Sequence, residues 1–124
     1  MKNYLCLLIL MPFFALLNSC DAQEGKYVDV SKEEFIKLIS SKKGILIDVR
    51  TPDEFNAGNI EGAINMDYFA EDFEKQVAMM DKSIPVYVYC ASGGRSGLTK
   101  KLMKKENFEE VYNLSIGYEG WVSE

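Results

Sequence analysis

The chain has 124 residues, 48% of them hydrophobic and 27% charged, with 14 Lys+Arg against 19 Asp+Glu, three cysteines and no histidine. This is the size and composition of one ordinary globular domain. Without histidine there is no Ser/His/Asp triad, no Cys/His dyad, no HExxH zinc site and no imidazole proton shuttle. Any catalysis must rest on thiol, carboxylate, hydroxyl, amine or backbone groups. The net charge of -5 argues against nucleic acid as a partner, because a phosphate backbone rewards basic surfaces.

Met1-Lys2-Asn3 supplies one positive charge ahead of Tyr4 to Leu17, an apolar run free of charged residues. The run is too short to span a bilayer comfortably and suits the core of a signal peptide, whereas Pro12 in its middle disfavours a buried helix. Leu17-Asn18-Ser19-Cys20 resembles the bacterial lipoprotein signal. That resemblance implies removal of residues 1–19, lipidation of Cys20 and anchoring to a membrane of the bacterial cell envelope. Plain cleavage nearby, giving a periplasmic protein, is the alternative. With Cys6 removed and Cys20 occupied by lipid, Cys90 becomes the one free thiol, either buried and inert or present to react.

Residues 20–26 read as the lipidated Cys20 and a short polar tether, and residues 27–124 as one domain. A first strand follows the tether. Ser31-Lys32-Glu33-Glu34 has the form of a capping box and predicts a helix to about Ser41, with Phe35, Leu38 and Ile39 on its apolar side. Ile45 to Val49 is a branched apolar run expected of a strand covered on both faces. Thr51-Pro52-Asp53-Glu54 starts a short helix to Ala57, which Gly58 ends. A loop to Asp67 carries an extended stretch around Ala63 to Met66. Phe69, Phe73, Val77 and Met80 then share one face of a helix. Pro85 to Tyr89 is a strand, Arg95 to Asn107 a helix with Leu98, Leu102 and Met103 on its apolar side, Glu110 to Leu114 a strand, and Gly117 to Ser123 a last helix. Such alternation predicts an α/β fold with a mainly parallel central sheet and helices on both faces. Ligands in such sheets sit at the carboxyl ends of the strands, which directs attention to the segment after Tyr89.

Cys90-Ala91-Ser92-Gly93-Gly94-Arg95-Ser96-Gly97 leaves a strand and enters a helix. Its small residues let backbone N–H groups curl inward as an anion-binding nest, with the positive end of the helix dipole behind them. A thiol in that field is stabilised as thiolate, below the free value of about 8.5, and so becomes a nucleophile without histidine. Arg95 adds a positive charge beside the bound anion, and Ser96 can donate a hydrogen bond or cap the helix. Nucleotide binding is disfavoured, because neither GxxxxGK[ST] nor GxGxxG is present.

The chain resembles the single-domain rhodaneses, which are sulfurtransferases. The resemblance rests on Ile47 to Phe55, Gly58 to Asn65, the Cys90 to Ser96 loop and Gly117-Tyr118-Glu119-Gly120-Trp121. It implies the rhodanese-like fold with Cys90 as the catalytic residue and Ala91, Ser92, Gly93, Gly94, Arg95 and Ser96 around the substrate. Cys90 would alternate between thiolate and persulfide. The donor would be a small anion such as thiosulfate, and the acceptor cyanide or a thiol, including a protein thiol. No metal or organic cofactor is implied. The resemblance also implies that Asp48 supports the loop by hydrogen bonding and that Arg50 pairs with Glu54 or a neighbour, both as structural support. Tyr118 and Trp121 read as packing residues. Asn59 stands where the family has histidine, which leaves a loop contact or a substrate preference open to change. Two other readings remain: a binding or persulfide-carrier module without turnover, and a Cys-dependent phosphatase. The second is disfavoured, because four residues separate Cys90 from Arg95 where related phosphatases have five.

Overall fold

The computed structural model describes residues 24–123. The apolar segment, the cleavage region and Cys20 lie outside the described residues. Among those described, no helix is long and apolar enough to cross a membrane.

Five strands and five helices follow one another as β1 (Lys26–Val30), α1 (Lys32–Ser40), β2 (Ile45–Asp48), α2 (Pro52–Ala57), β3 (Ile64–Asn65), α3 (Phe73–Ala78), β4 (Val86–Tyr89), α4 (Gly94–Lys105), β5 (Glu110–Leu114) and α5 (Gly117–Val122). The strands form a single sheet in the order β1-β5-β4-β2-β3. All of its pairings are parallel. β1 takes in Lys26, the last residue assigned to the tether.

Side-chain alternation divides the sheet into two faces. Val86 and Val88 of β4 join Ile47, Val49, Phe73, Val77, Met103 and Phe108 in one core, under α3 and α4. Tyr87 and Tyr89 point the other way and pack with Phe35, Leu46, Tyr112 and Leu114, under α1 and α5. Phe35 is fully buried and meets both Tyr87 and Trp121 edge to face. Covering both faces is what a continuous apolar strand such as Ile45-Leu46-Ile47 requires.

Two helix starts behave as their sequences dictate. The Ser31 side chain accepts from the amide of Glu34 at 3.2 Å. At α2, Thr51 and Glu54 cap each other reciprocally and Pro52 stands at the first turn. The expected helix through Phe69 begins four residues later, at Phe73. The Asp67 carboxylate accepts from the Phe69 amide at 2.9 Å, and this local bond holds residues 67–70 in a turn rather than a helix. Phe69 is consequently 66% exposed instead of packed. Leu98, expected on the apolar side of α4, is half exposed as well. Met103 and the small residues Ser96 and Thr99 form the buried side in its place.

The chain leaves β4 for β5 through α4, and leaves β2 in the opposite direction for β3. β2 and β4 are neighbours, so a crevice opens between their carboxyl ends, the place where open α/β sheets bind ligands. Cys90 follows β4 there, and Asp48 to Glu54 follow β2.

Phe35→Ala removes the ring shared by α1, β4 and α5. It is expected to lower the unfolding free energy by about 3–5 kcal/mol, read from urea titration followed by the fluorescence of Trp121.

Candidate active site

Cys90 is 1% exposed, at the end of β4. Its Sγ accepts a hydrogen bond from the Gly93 amide at 3.1 Å and one from the Ser96 hydroxyl at 3.3 Å. Burial pushes the thiol up, but donors from the Ser96 hydroxyl and from the amides of Ser96, Gly93 and Ser92 outweigh it. The net effect holds the Cys90 thiol below its ordinary value. The first turn of α4 adds its dipole in the same sense.

The loop presents its amides to the sulfur because its carbonyls are held elsewhere. The amide of Tyr118 donates to the carbonyl of Cys90 at 2.8 Å, and that of Glu119 to the carbonyl of Ala91 at 3.0 Å. In a trans peptide the C=O and the following N–H point oppositely. Tying the Ala91 carbonyl to the start of α5 therefore turns the Ser92 amide inward. Gly117 permits this approach: its φ is +63°, and a Cβ there would lie 2.3 Å from the Ala91 carbonyl oxygen. Gly93 adopts φ +98°, and a Cβ on it would sit 2.3 Å from the Ser115 carbonyl oxygen. The loop is thus clamped from behind by residues 115–119, a function that reading Tyr118 as mere packing missed. Its trace in the sequence was the Gly117 to Trp121 motif, in which Gly117 is the residue that makes room for the approach.

Asp48 and Arg50 form a buried pair. One Asp48 oxygen accepts from the Arg50 amide at 2.9 Å and the other from its guanidinium at 2.7 Å. The guanidinium also donates to the Gly58 carbonyl at 2.6 Å and lies 4.2 Å from the centre of the Tyr118 ring. Arg50 therefore pairs with its neighbour Asp48 and not with Glu54. Asp48 binds no atom of the loop; its support passes through Arg50 to Tyr118, whose amide holds Cys90. Removing one partner of such a pair leaves a buried charge uncompensated.

Glu54 pairs instead with Arg95. The two guanidinium nitrogens reach the two carboxylate oxygens at 2.7 and 3.0 Å. The same carboxylate accepts from the Thr51 amide and hydroxyl at 3.2 and 3.1 Å. Arg95 foremost, with Thr51, holds the Glu54 carboxyl down at about 2. The positive charge expected beside a bound anion is thus paired with a carboxylate of the protein itself. The Arg95 guanidinium lies 5.6 Å from the centre of the Phe69 ring. Asn59 is exposed, and its amide donates to the Phe55 carbonyl at 3.0 Å, so it closes the end of α2 rather than touching the loop.

The sequence-predicted residues therefore fall into two groups. Cys90, Ser92, Gly93 and Ser96 converge on one sulfur atom, while Arg95 turns toward α2 and Asp48 with Arg50 stands behind. Such a cradle can hold a sulfur anion and stabilise negative charge on a second sulfur bound to it.

The rhodanese-like domain matches residues 31–124. The uncharacterized protein YqhL of Bacillus subtilis is 32% identical over 121 residues, covering 98% of this chain and 94% of that protein. The thiosulfate sulfurtransferase GlpE of Shewanella oneidensis is 26% identical over 97 residues, covering 78% of this chain and 94% of that protein. Among solved structures, the human single-domain sulfurtransferase TSTD1 superposes with a TM-score of 0.66 at 22% identity, covering 76% of this chain and 94% of that one, a likeness of fold. The domain match over most of the described chain and the end-to-end likeness to YqhL agree with the parallel sheet and its strand-to-helix cysteine loop: the chain belongs to the rhodanese-like domain family.

Proposed function

We propose that this protein is a sulfurtransferase that carries sulfane sulfur on Cys90. The observation that supports the reading best is the convergence of the Gly93 amide and the Ser96 hydroxyl on Cys90 Sγ, in a loop whose amides favour the thiolate. The thiolate attacks the outer sulfur of a donor such as thiosulfate. The new S–S bond forms as the donor's own S–S bond breaks, and sulfite leaves with the electron pair. The resulting persulfide places its outer sulfur at the mouth of the cradle. A thiolate or cyanide then attacks that sulfur, and Cys90 leaves as thiolate with the bonding pair. The thiosulfate sulfurtransferase relatives and the four-residue spacing between Cys90 and Arg95 both favour sulfur over phosphoryl transfer.

The proposal extends to location. The apolar segment from Tyr4 to Leu17 and Cys20 support an exported domain, tethered to the envelope by lipid or released after plain cleavage.

Three outcomes are expected. Intact-mass measurement after thiosulfate treatment shows one added sulfur on the wild-type domain and none on Cys90→Ser, and thiocyanate formation from cyanide is lost with it. Equal rates in the two proteins would sink the assignment. Donors to the sulfur lower its pKa, so the rate of sulfur uptake falls as acid protonates the thiolate. Ser96→Ala moves the midpoint of that decline upward and slows uptake at neutral pH roughly tenfold, the worth of one hydrogen bond to a charged group; an unmoved midpoint in a stopped-flow pH series would remove Ser96 from this role. Labelling cells with a tagged fatty acid marks the wild-type protein and not Cys20→Ala, while label on both would place the lipid elsewhere.

A further inference from the structure

On the sheet face covered by α1 and α5, α1 and the segment after α2 leave between them a groove of about 890 Å³. Ile36 and Ile39 of α1 form one wall, Leu46 of β2 and Tyr87 of β4 the floor, and Ile60 and Trp121 the far side. No residue of the cysteine loop lines it. A volume of this size, walled by aliphatic and aromatic side chains, suits a small organic ligand. Ile36 is 41% exposed there, apolar surface that such a ligand would cover.

The two ends of the groove differ. The Lys32 ammonium donates to the Trp121 carbonyl at 2.7 Å, which sets Trp121 beside the start of α1. Lys42 lies past the end of α1 and turns the chain there with φ +55°. The nine residues of α1 separate these ends by about 14 Å, the reach of a medium-length acyl chain. Lys42 lines the groove and makes no ion pair among the described residues. Lys43 follows it and is exposed as well, so this end holds two cations to the one carboxylate of the groove's rim, Glu61.

Both far-side residues are bonded to the segment that carries the nucleophile. The Ile60 amide donates to the Tyr89 hydroxyl at 3.0 Å, and Tyr89 directly precedes Cys90. Trp121 belongs to α5, whose Tyr118 and Glu119 amides hold the carbonyls of Cys90 and Ala91.

We propose that this groove binds an amphipathic carboxylate, with its acyl chain along α1 and its head group at Lys42, and that its occupation is felt at Cys90 through Tyr89 and α5. A chain seated between Ile36, Ile60 and Trp121 holds the far side in its present arrangement. That is the arrangement in which the loop amides turn to the sulfur, so ligand and thiolate favour each other. No bond is made or broken on binding, and occupation of the groove is independent of sulfur transfer.

The test titrates the purified protein with decanoate, below the concentration at which it forms micelles, and follows the fluorescence of Trp121, the single tryptophan of the chain. Alkylation of Cys90 by iodoacetamide, located by peptide mass and repeated across a pH series, reports the thiolate. A saturable change in Trp121 emission is expected. Ile36→Asp should weaken binding roughly tenfold, because a carboxylate then stands where the chain packs. Lys42→Gln should weaken it about threefold, the worth of one exposed charge pair. At saturation the midpoint of the alkylation profile should move to lower pH, by a factor of about five in proton affinity, the lower end of coupling between sites. Without decanoate both variants should keep the wild-type midpoint. Emission that never saturates, or an affinity unchanged in Ile36→Asp, would overturn the site. Decanol bound as tightly as decanoate would overturn the assignment of an acid. Saturable binding with an unmoved midpoint would overturn the link to Cys90. Alkylation needs no sulfur donor, so each outcome stands apart from the fate of the sulfurtransferase reading.

Discussion

The shape of the loop around Cys90 depends on two backbone hydrogen bonds, from the amides of Tyr118 and Glu119 to the carbonyls of Cys90 and Ala91. A six-residue loop rich in glycine has many shapes open to it, and most would turn some carbonyls toward the sulfur and destabilise a thiolate. Fixing the carbonyls from outside leaves the amides only one way to point. The rest of the architecture serves this arrangement: Gly117 lets α5 come close, Arg50 on Tyr118 keeps that end of α5 in register, and Asp48 keeps Arg50 in place. Stabilisation of a thiolate here rests on peptide orientation together with the Ser96 hydroxyl, in a chain that has no histidine to supply a base.

The same economy governs charge. Each arginine near the loop has its own carboxylate, and each carboxylate is fixed by the local structure that follows β2, one through the buried turn at residues 48–50 and the other through the capping box at Thr51. Two neighbouring parallel strands thus bring Cys90 and these charge pairs to one crevice. Strand order explains why: β2 and β4 lie side by side although two crossovers and more than thirty residues separate them in the chain.

Much of this was legible in the sequence, for identifiable reasons. The capping boxes at Ser31 and Thr51, the branched runs at Ile45 and Val86 and the glycines after helices are local signals, and the elements they mark stand where expected. The cradle around Cys90 was legible too, because small residues between a strand and a helix constrain the backbone strongly. Phe69 was misplaced because helical periodicity says nothing of an aspartate two residues earlier that can bind the backbone itself. The pairing of Arg95 with Glu54 escaped, and that of Arg50 stayed open between Glu54 and a neighbour, for another reason. A salt bridge is chosen by the meeting of distant segments, and two arginines facing two carboxylates can be matched in more than one way. The clamp from α5 was hidden because backbone amides leave no residue-type signature beyond the glycine that makes room for them.

The clamp comes from the last helix of the chain, and β1, the first strand, pairs with β5, the last. The loop therefore acquires its shape only when both ends of the domain are present and folded. A chain still on the ribosome, with α5 and β5 not yet in place, has nothing to hold the carbonyls of Cys90 and Ala91 away from the sulfur. The environment that favours a thiolate at Cys90 is thus assembled last, with completion of the fold.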